Sequence, residues 1–435
     1  MIGGKAIQIH VVSPGESLWV IAHAYGTSVE DIVEANQIPD PNRLVVGQAL
    51  VIPIYGSFYM VQPGDSLWLI GQRFHINYLT LAQINNLNPN QILPIGLRLY
   101  IPPLMKASAE SLAYIEPRGT TVSEAVLNQA MEASPFLTYL ALFSYEARRD
   151  GTLKPPPSGT IPQIAEQAQA VVSMVVTNLE EGSFSGNLGR DILQSSAVQE
   201  QLLNNILIEA KRLGNVKDIH FDFEALPADQ KEAYADFLRK AVEKFHPEGF
   251  LVSAALAPKT SSAQQGPWQV AHDYEALGAI LDFVVLMTYE WGYIAGPPMA
   301  VSPINEVEKV VNYALSVMPA SKIMMGQNLY GYDWPLPFIQ GQTRAEALSP
   351  QRAIEIAKQN NAAIQYDLIA QAPYFYYVNE QGVQHIVWFE DARSIQAKFN
   401  LIKRYNLRGI AYWKLGLPFP QNWLLLADNF NIIRK

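Results

Sequence analysis

Lys217-Asp218-Ile219-His220-Phe221-Asp222-Phe223-Glu224 alternates apolar and ionisable side chains with a period of two. In an extended strand this puts Ile219, Phe221 and Phe223 on one side, and Asp218, His220, Asp222 and Glu224 on the other. Helices can cover the aromatic side. Four ionisable groups on the opposite side are hard to explain as packing, because burying charge without partners is costly. Leu226-Pro227 and a helical pattern follow, so the unit reads strand, short loop, helix, as in an α/β protein. Glu224 falls near the C-terminal end of the strand, where barrels and open α/β sheets keep their active sites.

Seven further strand-like runs accompany this one, at 111–116, 137–145, 170–178, 250–257, 282–289, 322–329 and 408–414. Helical patterns lie between most of them. Tyr234, Phe237, Leu238, Val242 and Phe245, for example, share one face of 229–245, and 192–213, 305–317 and 350–359 read similarly. Eight such units over 109–435 predict a (β/α)8 TIM barrel rather than an open doubly wound sheet. No Gly-x-Gly-x-x-Gly follows a strand and no Gly-Lys-Ser/Thr loop is present, so nucleotide binding has no support. The interval 330–407 is too long for one loop and helix. Alternation around Asn379-Glu380-Gln381-Gly382 predicts a small α+β insertion within 330–400, between strands seven and eight, able to wall one side of a cleft.

The N-terminal hundred residues repeat. Val12-Ser13-Pro14-Gly15-Glu16-Ser17-Leu18-Trp19-Val20-Ile21 recurs as Val61-Gln62-Pro63-Gly64-Asp65-Ser66-Leu67-Trp68-Leu69-Ile70, an offset of 61 − 12 = 49 that also maps Asn36 onto Asn85 and Ile52-Pro53 onto Ile101-Pro102. Two tandem βααβ modules follow, over 8–54 and 57–103, with second helices near 28–36 and 77–85. Units this small without disulfides need a compact core, expected to lean on Trp19 and Trp68.

Composition narrows the function. A net charge of −9 opposes the electrostatics of nucleic-acid binding, while 11% aromatic and only 16% charged residues suit stacking on sugars. Cysteine is absent, which excludes disulfides and thiol metal sites. No run reaches the roughly 18 apolar residues of a membrane span. Met1-Ile2-Gly3-Gly4-Lys5 lacks a signal peptide's apolar core, so any extracytoplasmic destination is expected to be reached without a classical signal. The seven His residues show no metal-ligand spacing, and neither metal nor cofactor is expected.

Asp222 and Glu224 share a face, with Cα atoms about 6.5–7 Å apart. Crowding two carboxyls beside an apolar wall raises the proton affinity of at least one. A protonated Glu near neutral pH can deliver a proton to a departing glycosidic oxygen. Retaining glycosidases usually add a carboxylate nucleophile across the sugar, and Asp222, beneath Glu224 on the same strand, is poorly placed for that. A sugar with a 2-acetamido group offers another route, its own carbonyl oxygen attacking C1 while Asp222 holds the amide N–H. Tyr145 and Glu146 end strand two, Asn178 ends strand three, and Gln327 and Asn328 end strand seven. All are expected at the rim, where short polar groups bind sugar hydroxyls.

Two resemblances sharpen this reading. The repeated Pro-Gly-Glu/Asp-Ser-Leu-Trp signature, the Asn ending the second helix and the terminal Ile-Pro resemble the LysM module. That implies recognition of peptidoglycan or chitin-like N-acetylglucosamine glycans, in a groove between the first strand–helix loop and the second helix–strand loop. Asp222-Phe223-Glu224, Leu286-Met287-Thr288-Tyr289 and Ala411-Tyr412-Trp413 resemble the family 18 glycoside hydrolases. The resemblance implies Glu224 as general acid/base, Asp222 as positioner of the acetamido group, Tyr289 as donor to its oxygen and Trp413 as the floor under the sugar. The family's fuller pattern, Asp-Gly-x-Asp-x-Asp-x-Glu, is altered: His220 replaces the inner Asp, where as an imidazolium it would hold Asp222 ionised. Glu290 stands where an Asp is usual, and both count as candidate substrate-site residues.

Tandem LysM before a short-looped barrel resembles the subgroup of family 18 N-acetylglucosaminidases that act on spore-cortex peptidoglycan fragments containing muramic δ-lactam during germination. That implies a monomer in the spore coat or on the spore surface. A chitinase, a non-catalytic glycan-binding protein and a muramidase are the alternatives. The last is disfavoured because a C3 lactyl group crowds a tight acetamido pocket.

Overall fold

The computed structural model describes residues 7–54, 56–102, 106–264, 266 and 268–435; the Met1–Lys5 stretch and Pro103, the expected end of the second module, lie outside them. Eight parallel strands form a barrel: β1 Ala107–Ile115, β2 Tyr139–Ala147, β3 Val171–Thr177, β4 Val216–Asp222, β5 Leu251–Leu256, β6 Phe283–Leu286, β7 Ile323–Asn328 and β8 Gly409–Trp413. Each pairs with the next. β8 returns to β1 and closes the sheet. The eight runs read from the sequence are these eight strands. β4 stops at Asp222, so Glu224 stands in the loop just past it, and Ala225 turns the chain with φ +55°.

The alternation of β4 separates two apolar layers. Ile219, Phe221 and Phe223 face outward into the layer between barrel and helices. There Phe237, on the helix Lys231–Phe245, lies 5.4 Å from the Phe221 ring and 6.0 Å from that of Phe223. The barrel interior is filled by Leu112, Tyr139, Ala141, Val175, Phe283 and Met324. Helix starts follow the sequence: Ser123, Ser195 and Ser349 each accept a first-turn backbone N–H, and Asp391 forms a capping box with Ser394.

The insertion between β7 and β8 is α+β, as read from the sequence. It is a five-stranded antiparallel sheet of Gly331–Pro335, Glu346–Leu348, Gln365–Asp367, Ala372–Val378 and Gln384–Trp388, with the helix Pro350–Gln359. Gly331–Pro335 leaves β7 almost directly and pairs with Gln384–Trp388, tying the insertion to the barrel mouth.

In each N-terminal module two antiparallel strands flank two short helices. The strands are Ile7–Val11 with Ala49–Pro53, and Ser57–Met60 with Arg98–Ile101. Asn36 stitches each part together: its Nδ2 donates to the Ile32 and Val51 carbonyls at 2.8 and 2.7 Å, and its Oδ1 accepts from the Val51 N–H at 2.8 Å. Asn85 repeats the pattern on Leu81 and Tyr100. The tryptophans are a correction. Trp19 and Trp68 are 69% and 55% exposed. Ser17 and Ser66 cap the helices, so Leu18 with Ile21 and Leu67 with Ile70 turn inward at helical spacing, and the residue after each Leu points out.

Replacing Phe237 by Ala should cost about 3–5 kcal/mol, read as a lowered denaturation midpoint. Trp19→Ala should stay within about 0.5 kcal/mol of the wild type in the same measurement.

Candidate active site

Asp222 and Glu224 open into a cavity of about 1140 Å³ at the C-terminal mouth of the barrel, lined also by Tyr289, Glu290, Trp413, Tyr330 and Tyr332. The loop that carries Glu224 is fixed through its backbone. The Glu224 N–H donates to Asn178 Oδ1 at 2.9 Å, and Asn178 Nδ2 donates back to the Glu224 carbonyl at 2.8 Å. His272 holds the preceding residue. Its Nδ1 accepts from the Ala257 N–H at 2.9 Å, so Nε2 carries the proton and donates to the Phe223 carbonyl at 2.9 Å. Burial pushes His272 down to about 4, which keeps it neutral.

Asp222 is buried and its Oδ1 has no hydrogen-bond partner. Burial raises its pKa to about 7. Burial, and then the Asp222 charge, raises Glu224 well above the usual glutamic range. The pair therefore retains protons that exposed carboxyls release. Tyr289 shares this setting. Burial first, then Asp222, Glu224 and Glu290, push its pKa up, so its hydroxyl remains a donor. Gly326 on β7 makes room for it, since a Cβ there would come within 2.9 Å of Tyr289 Cε1 and 2.3 Å of the Leu286 carbonyl oxygen.

Trp413 is half-buried, with Tyr114 and Phe143 set edge-on to it at 5.4 and 5.0 Å between centroids. Those neighbours brace the ring while it lines the cavity. Glu290, at φ +65°, accepts from the Tyr330 hydroxyl and, at 3.1 Å, from that of Tyr332. Burial raises its pKa too.

Five of the expected substrate contacts lie elsewhere. Tyr145 is buried in the outer layer with an unpartnered hydroxyl. The pairing of β2 with β3 slips between Leu142 and Tyr145, which turns Tyr145 away and leaves Phe143 facing the cavity. Asn178 is buried in its backbone clamp. Gln327 and Asn328 are also fully buried: Gln327 Nε2 donates to Asn328, and Asn328 Nδ2 donates to the Tyr330 carbonyl at 2.6 Å, shaping the exit from β7.

His220 is the fifth. It is fully buried below the cavity. Ser253 Oγ donates to Asp218 at 2.9 Å, so His220 Nδ1–H donates to Ser253 Oγ at 2.7 Å, and Nε2 accepts from the Tyr114 hydroxyl at 2.9 Å. Burial pushes His220 down to about 3, so it is a neutral imidazole, not the imidazolium expected to hold Asp222 ionised. Asp218, which also accepts from Ser173 Oγ at 2.6 Å, ends this chain of hydrogen bonds. Sequence reasoning passed over Tyr114 and His272. Tyr114 stands on β1 in an unremarkable apolar run, and His272 comes 48 residues after Glu224 in sequence (272 − 224) with no motif around it.

Residues 182–417 match the Glycosyl hydrolases family 18 profile. The chain belongs to glycoside hydrolase family 18. Two LysM domains match at 10–53 and 59–102 ahead of it. The hydrolase is 62% identical over 429 residues to the cortical fragment-lytic enzyme of Bacillus subtilis (strain 168), covering 99% of both chains. It is 53% identical to the Bacillus cereus enzyme of the same name, covering 99% of this chain and 100% of that one. The crystal structure of the Bacillus megaterium QM B1551 spore cortex-lytic enzyme SleL superposes with a TM-score of 0.90 at 49% identity, covering 99% of this chain and 100% of that one. Among the described residues no helix is long and apolar enough to cross a membrane.

In a carboxyl-carbon NMR titration, Glu224 of this hydrolase should stay protonated well above the range of an exposed Glu. Asp222→Asn should move that titration to lower pH, because a neighbouring anion no longer opposes ionisation. Burial alone should still hold it above the exposed value.

Proposed function

We propose that the enzyme cleaves β-1,4 bonds after N-acetylglucosamine in spore-cortex peptidoglycan fragments containing muramic δ-lactam, during germination, from a position in the spore coat or on the spore surface. The observation that carries the mechanism is the proton-retaining Asp222–Glu224 pair at the floor of an aromatic cavity. The substrate class is supported by extensive identity to cortical fragment-lytic enzymes along the whole chain.

Glu224 gives its proton to the leaving glycosidic oxygen as the C1–O bond breaks. The carbonyl oxygen of the substrate's 2-acetamido group bonds to C1 from the opposite face, forming an oxazolinium ring. Asp222 accepts the amide N–H and stabilises the positive ring, and the Tyr289 hydroxyl donates to the acetamido oxygen. Water then attacks C1, Glu224 takes its proton, and the ring opens with the anomeric configuration retained. Trp413 offers its face to the sugar. Glu290 is supported as a wall rather than a nucleophile by the two tyrosine hydroxyls it accepts.

Digested cortex should gain N-acetylglucosamine reducing ends, whereas new muramic reducing ends would contradict the reading. Glu224→Gln should lose at least about a hundredfold in turnover, the low end for a general acid, while still binding glycan. The activity of the wild type should fall as pH rises through the raised Glu224 pKa, since the departing oxygen then finds no proton.

A further inference from the structure

The two LysM modules are copies in sequence but not in surroundings. In module 1 the loop between the second helix and the final strand is built into the catalytic domain. Asp40 pairs with Lys358 at 3.0 Å, and the Arg43 guanidinium donates to the Lys358 carbonyl and to Asn361 Oδ1 at 3.0 and 3.1 Å. Val45 is buried in the insertion's core with Ile356, Ile364 and Phe375. The Ile364 N–H donates to the Val46 carbonyl at 2.9 Å, and Arg393 donates to that of Gly47 at 3.1 Å. A Cβ on Gly47 would meet the Ile364 carbonyl oxygen at 1.9 Å. Behind the loop, Gln421 Nε2 donates to Asn36 Oδ1 and to the Ala49 carbonyl. Ala35, Ala49 and Val51 share the outer core of the barrel.

Module 2 offers an internal control, 49 residues on. Gly96 has φ +82° against +83° for Gly47, yet a Cβ there would meet nothing within 4 Å. Ile92 and Ile95, the counterparts of Arg43 and Val46, are 94% and 70% exposed. Among the described residues, the backbone N–H groups of the 86–96 loop donate within their own module, as from Gly96 N–H to the Val61 carbonyl and from Gln91 N–H to that of Asn88. The loop Asn86-Leu87-Asn88-Pro89-Asn90-Gln91-Ile92-Leu93-Pro94-Ile95-Gly96 has no charged residue, where its counterpart has Asp40 and Arg43. Neutral amides beside exposed aliphatic groups suit a ligand of hydroxyls, amides and methyls rather than a polyion. Such a ligand is an N-acetylated glycan.

We propose that the modules have divided their work: module 1 is a fixed spacer locked to the barrel through its helix–strand loop, and module 2 holds the glycan polymer with the same loop left free. The proposal rests on the reading of the LysM pair as glycan-binding. Module 2 keeps contact with module 1, where the Phe58 N–H donates to Gln8 Oε1 and the Arg98 guanidinium donates to the Ala24 carbonyl, so attachment at module 2 is passed to the barrel through a docked unit.

Co-sedimentation of the full-length protein with purified insoluble peptidoglycan separates the modules. Ile92→Asp/Ile95→Asp changes only exposed side chains and should keep the wild-type unfolding temperature, yet weaken sedimentation by at least about tenfold. Asp40→Ala/Arg43→Ala should leave sedimentation within about twofold of the wild type, because these residues serve docking, and should expose the junction to limited proteolysis. The proposal alone is overturned if the module 2 variant sediments like the wild type, or if the module 1 variant loses as much. Failure of the wild type itself to sediment overturns the glycan-binding reading together with the proposal.

Discussion

A carboxylate taken from water into an apolar wall loses solvation worth several kcal/mol, and a second carboxylate beside it adds repulsion. Asp222 and Glu224 experience both, at the end of a strand whose other face is locked into an aromatic layer. Retaining protons is how the pair tolerates its position. The surroundings make that position hard to escape: Asn178 holds both backbone groups of Glu224, and His272 holds the carbonyl before it. Asn178 and His272 thus grip main chain, which leaves the carboxyls themselves facing the cavity.

The layer beneath is arranged so as not to interfere. An ionised His220 would draw Asp222 toward its charged form. Buried and neutral, with one ring nitrogen accepting from Tyr114 and the other donating to Ser253, it instead sends its hydrogen bonds sideways and down to Asp218. On the proposed mechanism, the freedom of Asp222 to meet an acetamide follows from this arrangement, and so does its sharing of protons with Glu224. Above, the insertion contributes Tyr330 and Tyr332 to the cavity, and they occupy Glu290.

Much of this was legible before any coordinates. The eight strands could be counted because seven are short, largely apolar runs and the other alternates with period two, and the repeat of 49 residues marked both modules without knowledge of their fold. Asp222 and Glu224 stood out because period-two alternation makes ionisable groups conspicuous. Other features depend on geometry that alternation does not carry. The register slip in β2 reverses Tyr145, which strict alternation would have kept on the inner face. Gln327 and Asn328 end a strand, as expected, but their amides close on neighbouring main chain. The exposure of Trp19 follows from where its helix begins, and the docking of module 1 from contacts more than 300 residues away, such as Asp40 with Lys358 (358 − 40 = 318).

On the proposed mechanism the nucleophile belongs to the substrate and not to the protein. This is tested by comparing wild-type turnover of two oligosaccharides that differ only at C2 of the sugar whose bond is cut, one bearing the acetamido group and the other a hydroxyl. The first should be cleaved, with loss of at least about a thousandfold for the second, the scale at which a covalent route is removed rather than a binding contact trimmed. Comparable turnover of both, with a sugar caught as an ester on a protein carboxylate, would contradict it.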